Sequence, residues 1–190
     1  MRDVVLVTGG ARSGKSRLAE AWAASSPAPV WYLATCLADA SDPEMVERIR
    51  LHRARRPVDW KTLEVSGDLP GAVASAPAGG TVLVDCVTLW VSRLLSEGPE
   101  EEAIDRVIRN CARLATALTR EGRTLLVTNE VGMGVVPATP LGRLFRDAAG
   151  TANAALAAVS DRVVLCVAGL PVPVKGSRRG IPFLPQETSS

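Results

Sequence analysis

The chain has 190 residues, 47% of them hydrophobic and 22% charged, with a formal net charge of +2, the balance of an ordinary globular domain with a sizeable core. So small a charge, without a basic groove interleaved with aromatic residues, argues against a nucleic-acid partner. The cysteines Cys36, Cys86, Cys111 and Cys166 stand far apart, no Cys-x-x-Cys pair occurs, and a single histidine leaves no zinc-finger pattern.

Val4–Thr8 is an apolar strand that runs into Gly9-Gly10-Ala11-Arg12-Ser13-Gly14-Lys15-Ser16, and a helical pattern follows from Ser16 to Ala24 with Leu18, Ala19, Trp22 and Ala23 on its core side. The spacing Gly9-x4-Gly14-Lys15-Ser16, with a strand before it and a helix after it, is that of a P-loop. Gly9 and Gly14 permit torsions and close approach that a Cβ would block. Successive backbone N–H groups then converge on phosphate oxygens, aided by the positive end of the helix dipole. Lys15 is placed to reach the β- and γ-phosphates, and the Ser16 hydroxyl to ligate Mg²⁺.

Pro27 and Pro29 end this helix, and Val30–Thr35 is the second strand. Ser41-Asp42-Pro43-Glu44 starts a helix, with Asp42 as N-cap and Pro43 at the first helical position, which runs to about Arg55 and stops at Pro57. Val58–Val65 is extended and places Trp60, Thr62 and Glu64 on one side; Leu69–Ser75 is a short helix. A Pro77–Gly80 turn leads to a buried strand, Thr81–Cys86, then to a helix, Thr88–Leu95, broken by Gly98-Pro99. Glu100–Arg120 is a long amphipathic helix closed by Gly122, and Thr124–Thr128 is another buried strand. Beyond a Gly- and Pro-rich loop, Leu141–Ser160 is the last helix. Val163–Ala168 and Val172–Lys175 form a hairpin around Gly169-Leu170-Pro171, so the last strand runs antiparallel. Residues 176–190 lack periodicity and read as a mobile tail.

The alternation predicts one α/β domain over residues 1–175, with a mostly parallel central sheet covered by helices on both faces. Cys86 and Cys166, inside apolar runs, read as buried reduced thiols. Asp161 and Arg162 interrupt the longest apolar stretch, so no membrane span is expected, and with no basic-then-apolar leader pattern a cytoplasmic location is expected.

Five further places carry candidate chemistry. Asp85 ends an apolar strand, where P-loop proteins hold Mg²⁺; an N-cap for the next helix is the alternative. His52, the lone histidine, sits among Arg48, Arg53, Arg55 and Arg56. It reads either as part of a solvated basic helix or as a nucleophile that attacks phosphorus, with guanidinium groups neutralising the oxygens. Glu64 is a candidate guanine reader, since a carboxylate accepts from both N1–H and the exocyclic amine; an exposed edge-strand glutamate is the bland alternative. Glu130, after a buried strand, is a candidate base for an attacking hydroxyl. Arg143, Arg146, Gly150 and Asn153 share a helix face that meets substrate, a neighbouring subunit or only water.

Taken together, GGARSGKS at 9–16, YLAT at 32–35, the spaced set Glu44-Met45, Arg48-Ile49, His52, Arg56-Pro57, Trp60, Thr62 and Glu64, TNEVGMGVVP at 128–137, FRD at 145–147, Gly150 and Asn153 resemble the bifunctional adenosylcobinamide kinase / adenosylcobinamide-phosphate guanylyltransferase family, from Val4 to about Lys175. The resemblance implies a RecA-like P-loop fold and a homotrimer. It implies ATP or GTP and Mg²⁺ as cofactors, and adenosylcobinamide and its phosphate as substrates. It further implies that His52 carries GMP covalently and that GTP contacts fall on Gly9, Gly10, Ala11, Arg12, Ser13, Gly14, Lys15 and Ser16, on Ala34, Thr35 and Cys36, on Arg53, Ala54, Arg55 and Arg56, and on Glu64 and Asp85. Two other readings stand beside it: a P-loop small-molecule kinase without the transferase step, and a nucleotide-gated RecA-like binding module.

Overall fold

The computed structural model describes residues 1–36, 46, 47, 50, 53, 54 and 56–184. Along them run β1 (Arg2–Gly9), α1 (Lys15–Ala24), β2 (Val30–Ala34), β3 (Lys61–Glu64), α2 (Leu69–Ala74), β4 (Thr81–Asp85), α3 (Val87–Ser96), α4 (Ala103–Ala117), β5 (Gly122–Val127), α5 (Pro140–Val159), β6 (Arg162–Val167) and β7 (Leu170–Lys175). Parallel strands covered on both faces need unbroken apolar runs. Val4–Val7, Val82–Val84 and Leu125–Val127 supply them at the centre of one sheet in the order β3-β2-β4-β5-β1-β6-β7. All pairs are parallel except β6 with β7.

The period of two along the strands splits the apolar residues between two cores. Val5, Val7, Tyr32, Leu83 and Leu125 face α1, which meets them with Leu18, Ala19 and Trp22. Val4, Leu6, Leu33, Val82, Val84 and Leu126 face the other way, onto α2, α3, α4 and α5. No helix of the described residues is long and apolar enough to cross a membrane.

Several expected boundaries move for local reasons. The helix that starts at Asp42 lies largely outside the described residues; of its span, residues 46, 47, 50, 53 and 54 are helical. The extended segment shrinks to β3, because residues before it turn, with Trp60 N–H donating to the Pro57 carbonyl at 3.2 Å. The long helix begins as a 3-10 turn at Glu100–Glu102 and ends at Ala117. Gly122 does not close it but opens β5 at φ 104°, where a Cβ would lie 2.3 Å from the Gly80 carbonyl oxygen. The hairpin turn is Ala168-Gly169, at φ 50° and 84°, a two-residue turn whose twist suits the strands. Leu170 and Pro171 therefore belong to β7, an edge strand, where proline is tolerated. Of the tail expected from residue 176, residues 185–190 lie outside the described residues; within the rest, Ile181 is 1% exposed in the α1 core, and the Arg17 guanidinium lies 5.3 Å from the Phe183 ring centroid.

At the amino end of the sheet, Asp3 ties β1 to both neighbours. Arg123 Nε donates to its Oδ2 at 2.8 Å and Arg162 Nη2 to its Oδ1 at 2.6 Å. Burial raises the Asp3 pKa, but the hydrogen bonds and charges of Arg162 and Arg123 outweigh it and hold the carboxyl below its usual range. Asp3→Ala is expected to cost about 2–4 kcal/mol, since it strands two partly buried guanidinium groups. The contribution of Asp3 is present above its unfolded pKa and lost as pH falls through the lower folded value. Urea unfolding of both proteins at neutral and acidic pH checks this: the gap between them narrows on acidification.

Candidate active site

The carboxyl end of β1 turns sharply because Gly9 adopts φ 156°, where a Cβ would lie 2.6 Å from both the Cys166 carbonyl oxygen and Ser13 Oγ. Gly14, at φ 92°, caps α1 without a side chain, and a Cβ on it would approach Gly169 Cα to 3.1 Å. Gly169 N–H donates to the Ser13 carbonyl at 3.0 Å. The loop is thus seated between β1 and the β6–β7 turn, with the N-terminal N–H groups of α1 pointing outward from it. Ser13 Oγ is buried with no hydrogen-bond partner among the described residues, and Lys15 Nζ donates to the Gly10 carbonyl at 3.0 Å, across the loop. A backbone cradle, an orphaned hydroxyl and a cation over the concavity fit a polyphosphate.

Register places Asp85 beside Ala34 at the tips of β4 and β2. The Asp85 carboxylate accepts from the Tyr32 hydroxyl. Cys86, at φ 74°, is the cap residue of α3 and makes no side-chain cap. The alternative of Asp85 as N-cap is thereby set aside. Thr35 Oγ1 lies 2.6 Å from the Asp85 carbonyl oxygen and 2.8 Å from that of Cys86, and Arg93 Nη2 donates to the Thr35 carbonyl at 3.3 Å. Burial, reinforced by the adjacent Asp85 charge, pushes the Tyr32 phenol far above its usual range, so it stays a donor. Burial likewise raises the Cys86 thiol. Cys86 and Cys36 are half-buried and, like the buried Cys111 and Cys166, free of disulfides.

Toward the β3 edge, Arg56 stacks on Tyr32 with its guanidinium carbon 3.5 Å from the ring centroid, and the Trp60 ring lies 6.3 Å from that of Tyr32. Arg56 Nη1 reaches Thr62 Oγ1 only at 3.4 Å, and its Nε is buried without a partner among the described residues. Glu64 lies exposed on edge strand β3, ion-paired to Arg53. His52, Arg48 and Arg55 lie outside the described residues.

Between Asp85 and the P-loop, beyond the end of β5, Glu130 is half-buried; its N–H donates to the Gly9 carbonyl at 3.1 Å, and its Oε2 lies 3.4 Å from Thr8 Oγ1. The turn that carries it is held by a polar chain. Thr128 Oγ1 donates to Asn153 Oδ1 at 2.7 Å, Asn153 Nδ2 to the Asn129 carbonyl at 3.0 Å, and Asn129 N–H to Thr88 Oγ1 at 2.7 Å. Of the helix face expected to meet ligand or water, Asn153 therefore points inward. Arg143 instead grips its own entry loop through the Pro137 and Ala138 carbonyls at 3.1 and 2.8 Å, and Arg146 pairs with Asp147. Sequence reasoning passed over Tyr32 and Thr88 as site residues. The signal for Tyr32 was a phenol inside an apolar strand, which needs a partner when buried.

A family model described as "Cobinamide kinase / cobinamide phosphate guanyltransferase" matches residues 5–174. The bifunctional adenosylcobalamin biosynthesis protein CobP of Pseudomonas aeruginosa is 48% identical over 178 residues, 93% of this chain and 98% of that protein. The proteins called CobU in Salmonella typhimurium and Escherichia coli K12 are 40% and 42% identical, each over 90% of this chain and 99% of theirs. A solved structure from Pyrococcus horikoshii OT3 superposes with a TM-score of 0.55 at 14% identity, over 94% of this chain and 89% of that one; at that identity the likeness concerns fold alone.

Proposed function

The chain belongs to the cobinamide kinase / cobinamide phosphate guanyltransferase family, and on that premise we propose that it performs two successive reactions at the P-loop edge of its sheet. In the first, the aminopropanol hydroxyl oxygen of adenosylcobinamide bonds to the γ-phosphorus of ATP or GTP, the bridging P–O bond breaks, and the nucleoside diphosphate leaves. Glu130 takes the hydroxyl proton; its backbone anchor on Gly9 supports this role by keeping the carboxylate beside the phosphate cradle. In the second, an imidazole nitrogen of His52 bonds to the α-phosphorus of GTP and pyrophosphate leaves. A phosphate oxygen of adenosylcobinamide phosphate then attacks that phosphorus, frees the imidazole and yields adenosylcobinamide-GDP.

The cradle of Gly9–Ser16, with Lys15 across it, is the single observation that carries this reading. Ala34, Thr35 and Cys36 lie at and just beyond the tip of β2, beside Asp85, and Arg53, Ala54, Arg55 and Arg56 supply backbone and cationic contacts to GTP. The Ser16 hydroxyl and Asp85 would hold magnesium, which would supply neutralisation of phosphate charge. Among the described residues no group of three or more His, Cys, Asp or Glu side chains is poised for a metal.

Glu64 reads the guanine. Its present partner Arg53 is half-exposed, so the base's N1–H and amine displace it at small cost. Glu64→Gln is expected to lower the GTP-over-ATP preference of the transferase step by about tenfold, because an amide presents a donor where guanine also donates. Competition between the two triphosphates measures it, and an unaltered preference removes Glu64 from base reading.

The protein works in the cytoplasm as a homotrimer. Leu170, Val172 and Val174 of β7 are 66%, 44% and 64% exposed and form an apolar face suited to a neighbouring subunit. Incubation with α-labelled GTP, with and without adenosylcobinamide phosphate, tests the whole reading. Expected are labelled protein without acceptor and labelled adenosylcobinamide-GDP with it. A kinase that never takes up label would rule out the transferase half.

A further inference from the structure

We propose that Tyr32 is the positioning residue of the nucleotide site: its hydroxyl fixes the Asp85 carboxylate for the cation, and its ring carries the Arg56 guanidinium to the phosphates. The inference rests on reading Asp85 and Arg56 as nucleotide contacts. Tyr32 stands near the middle of β2, buried on the α1 side of the sheet, and only its phenol oxygen reaches the tip of β4. That oxygen donates to Asp85 Oδ2, and among the described residues no hydrogen bond engages Oδ1. One carboxylate oxygen is thus locked while the other stays available to a cation or to the water on it. Outer hydrogen bonds of this kind set ligand orientation and are worth about 10–100-fold in metal affinity.

The other half concerns charge. A guanidinium paired with a carboxylate is already neutralised, whereas Arg56 lies 3.5 Å over the ring, makes only a long contact to Thr62 at 3.4 Å, and keeps a buried Nε with no partner among the described residues. A π face holds a guanidinium without neutralising its charge, which leaves that charge available to an anion. One side chain therefore holds both an anion ready for a cation and a cation ready for an anion.

The two roles separate by substitution. Tyr32→Phe removes the hydroxyl and keeps the stack; Tyr32→Leu removes both. Equilibrium binding of α,β-methylene-GTP, which cannot donate GMP, is measured with saturating Mg²⁺ and with EDTA. For Tyr32→Phe the magnesium-dependent gain in affinity is expected to fall about tenfold, with the EDTA affinity unchanged within about twofold. For Tyr32→Leu the EDTA affinity is expected to fall as well, about threefold to tenfold. Asp85→Asn is the control. If it abolishes the magnesium dependence while Tyr32→Phe leaves that dependence unchanged or strengthens it, the role of Tyr32 is overturned and that of Asp85 stands. If Asp85→Asn has no effect on magnesium dependence, the reading of Asp85 fails and the proposal with it. Should Tyr32→Leu not fold, Tyr32→Phe decides alone, and thermal unfolding of that variant near the wild-type temperature excludes a merely structural cause.

Discussion

Replacing His52 by alanine is expected to abolish guanylyl transfer, by more than about 10³-fold, while phosphorylation of adenosylcobinamide continues. The asymmetry follows from where bonds form. The kinase step needs the cradle and an attacking hydroxyl, and no histidine intervenes. The transferase step, as proposed, passes through a P–N bond to an imidazole, and removing a covalent nucleophile leaves only positioning and charge stabilisation. No second histidine exists to take over. A phosphoramidate is labile to acid, so the wild-type protein incubated with labelled GTP should release its label on acidification and the variant should carry none. Acid-labile label persisting on the His52→Ala protein would show that another residue is the carrier.

The second large effect is expected from Lys15→Ala, and it should fall on both reactions, by about 10²–10³-fold. Lys15 Nζ spans the P-loop to the Gly10 carbonyl at 3.0 Å, which organises its charge over the cradle. Phosphates bound there gain that charge in the transition state at no cost of reorganisation. Lys15→Arg should restore only part of the loss, because a planar fork does not reproduce a compact ammonium at the same point. Because Lys15 contributes a partly exposed contact rather than core packing, denaturant stability should move by no more than about 0.5 kcal/mol. Separate assays of the two steps check it; unchanged kinase turnover in Lys15→Ala would remove Lys15 from the phosphate site.

How far the chemistry could be seen beforehand depended on its range along the chain. The P-loop was legible because strand, glycines, lysine, serine and helix are contiguous, and local torsions alone shape the cradle. Asp85 was legible as a strand tip, yet that it does not cap α3 turned on Cys86 adopting φ 74°, and the partner of its carboxylate is Tyr32, 53 positions away. Glu130 was nameable as a strand-end acid, but its seat on Gly9 required β5 and β1 to be neighbours in register. Asn153 looked like one more polar residue on a surface helix until α5 brought it against Thr128 and Asn129, just beyond the end of β5.

By itself, the order of residues determined an alternating α/β chain, a mostly parallel sheet with apolar central strands, an antiparallel closing strand and a phosphate cradle at the end of β1. These follow from periodicity and from torsions that only glycine adopts readily, both properties of neighbours in the chain. Tertiary structure alone decided which polar groups meet. It stacked Arg56 on Tyr32, aimed Tyr32 at Asp85, hung the Glu130 turn from Asn153 and Thr88, and drew Ile181 back onto α1. Such contacts join residues separated by tens of positions, and only burial, which forces each polar atom to find a partner and each apolar one to leave water, specifies them.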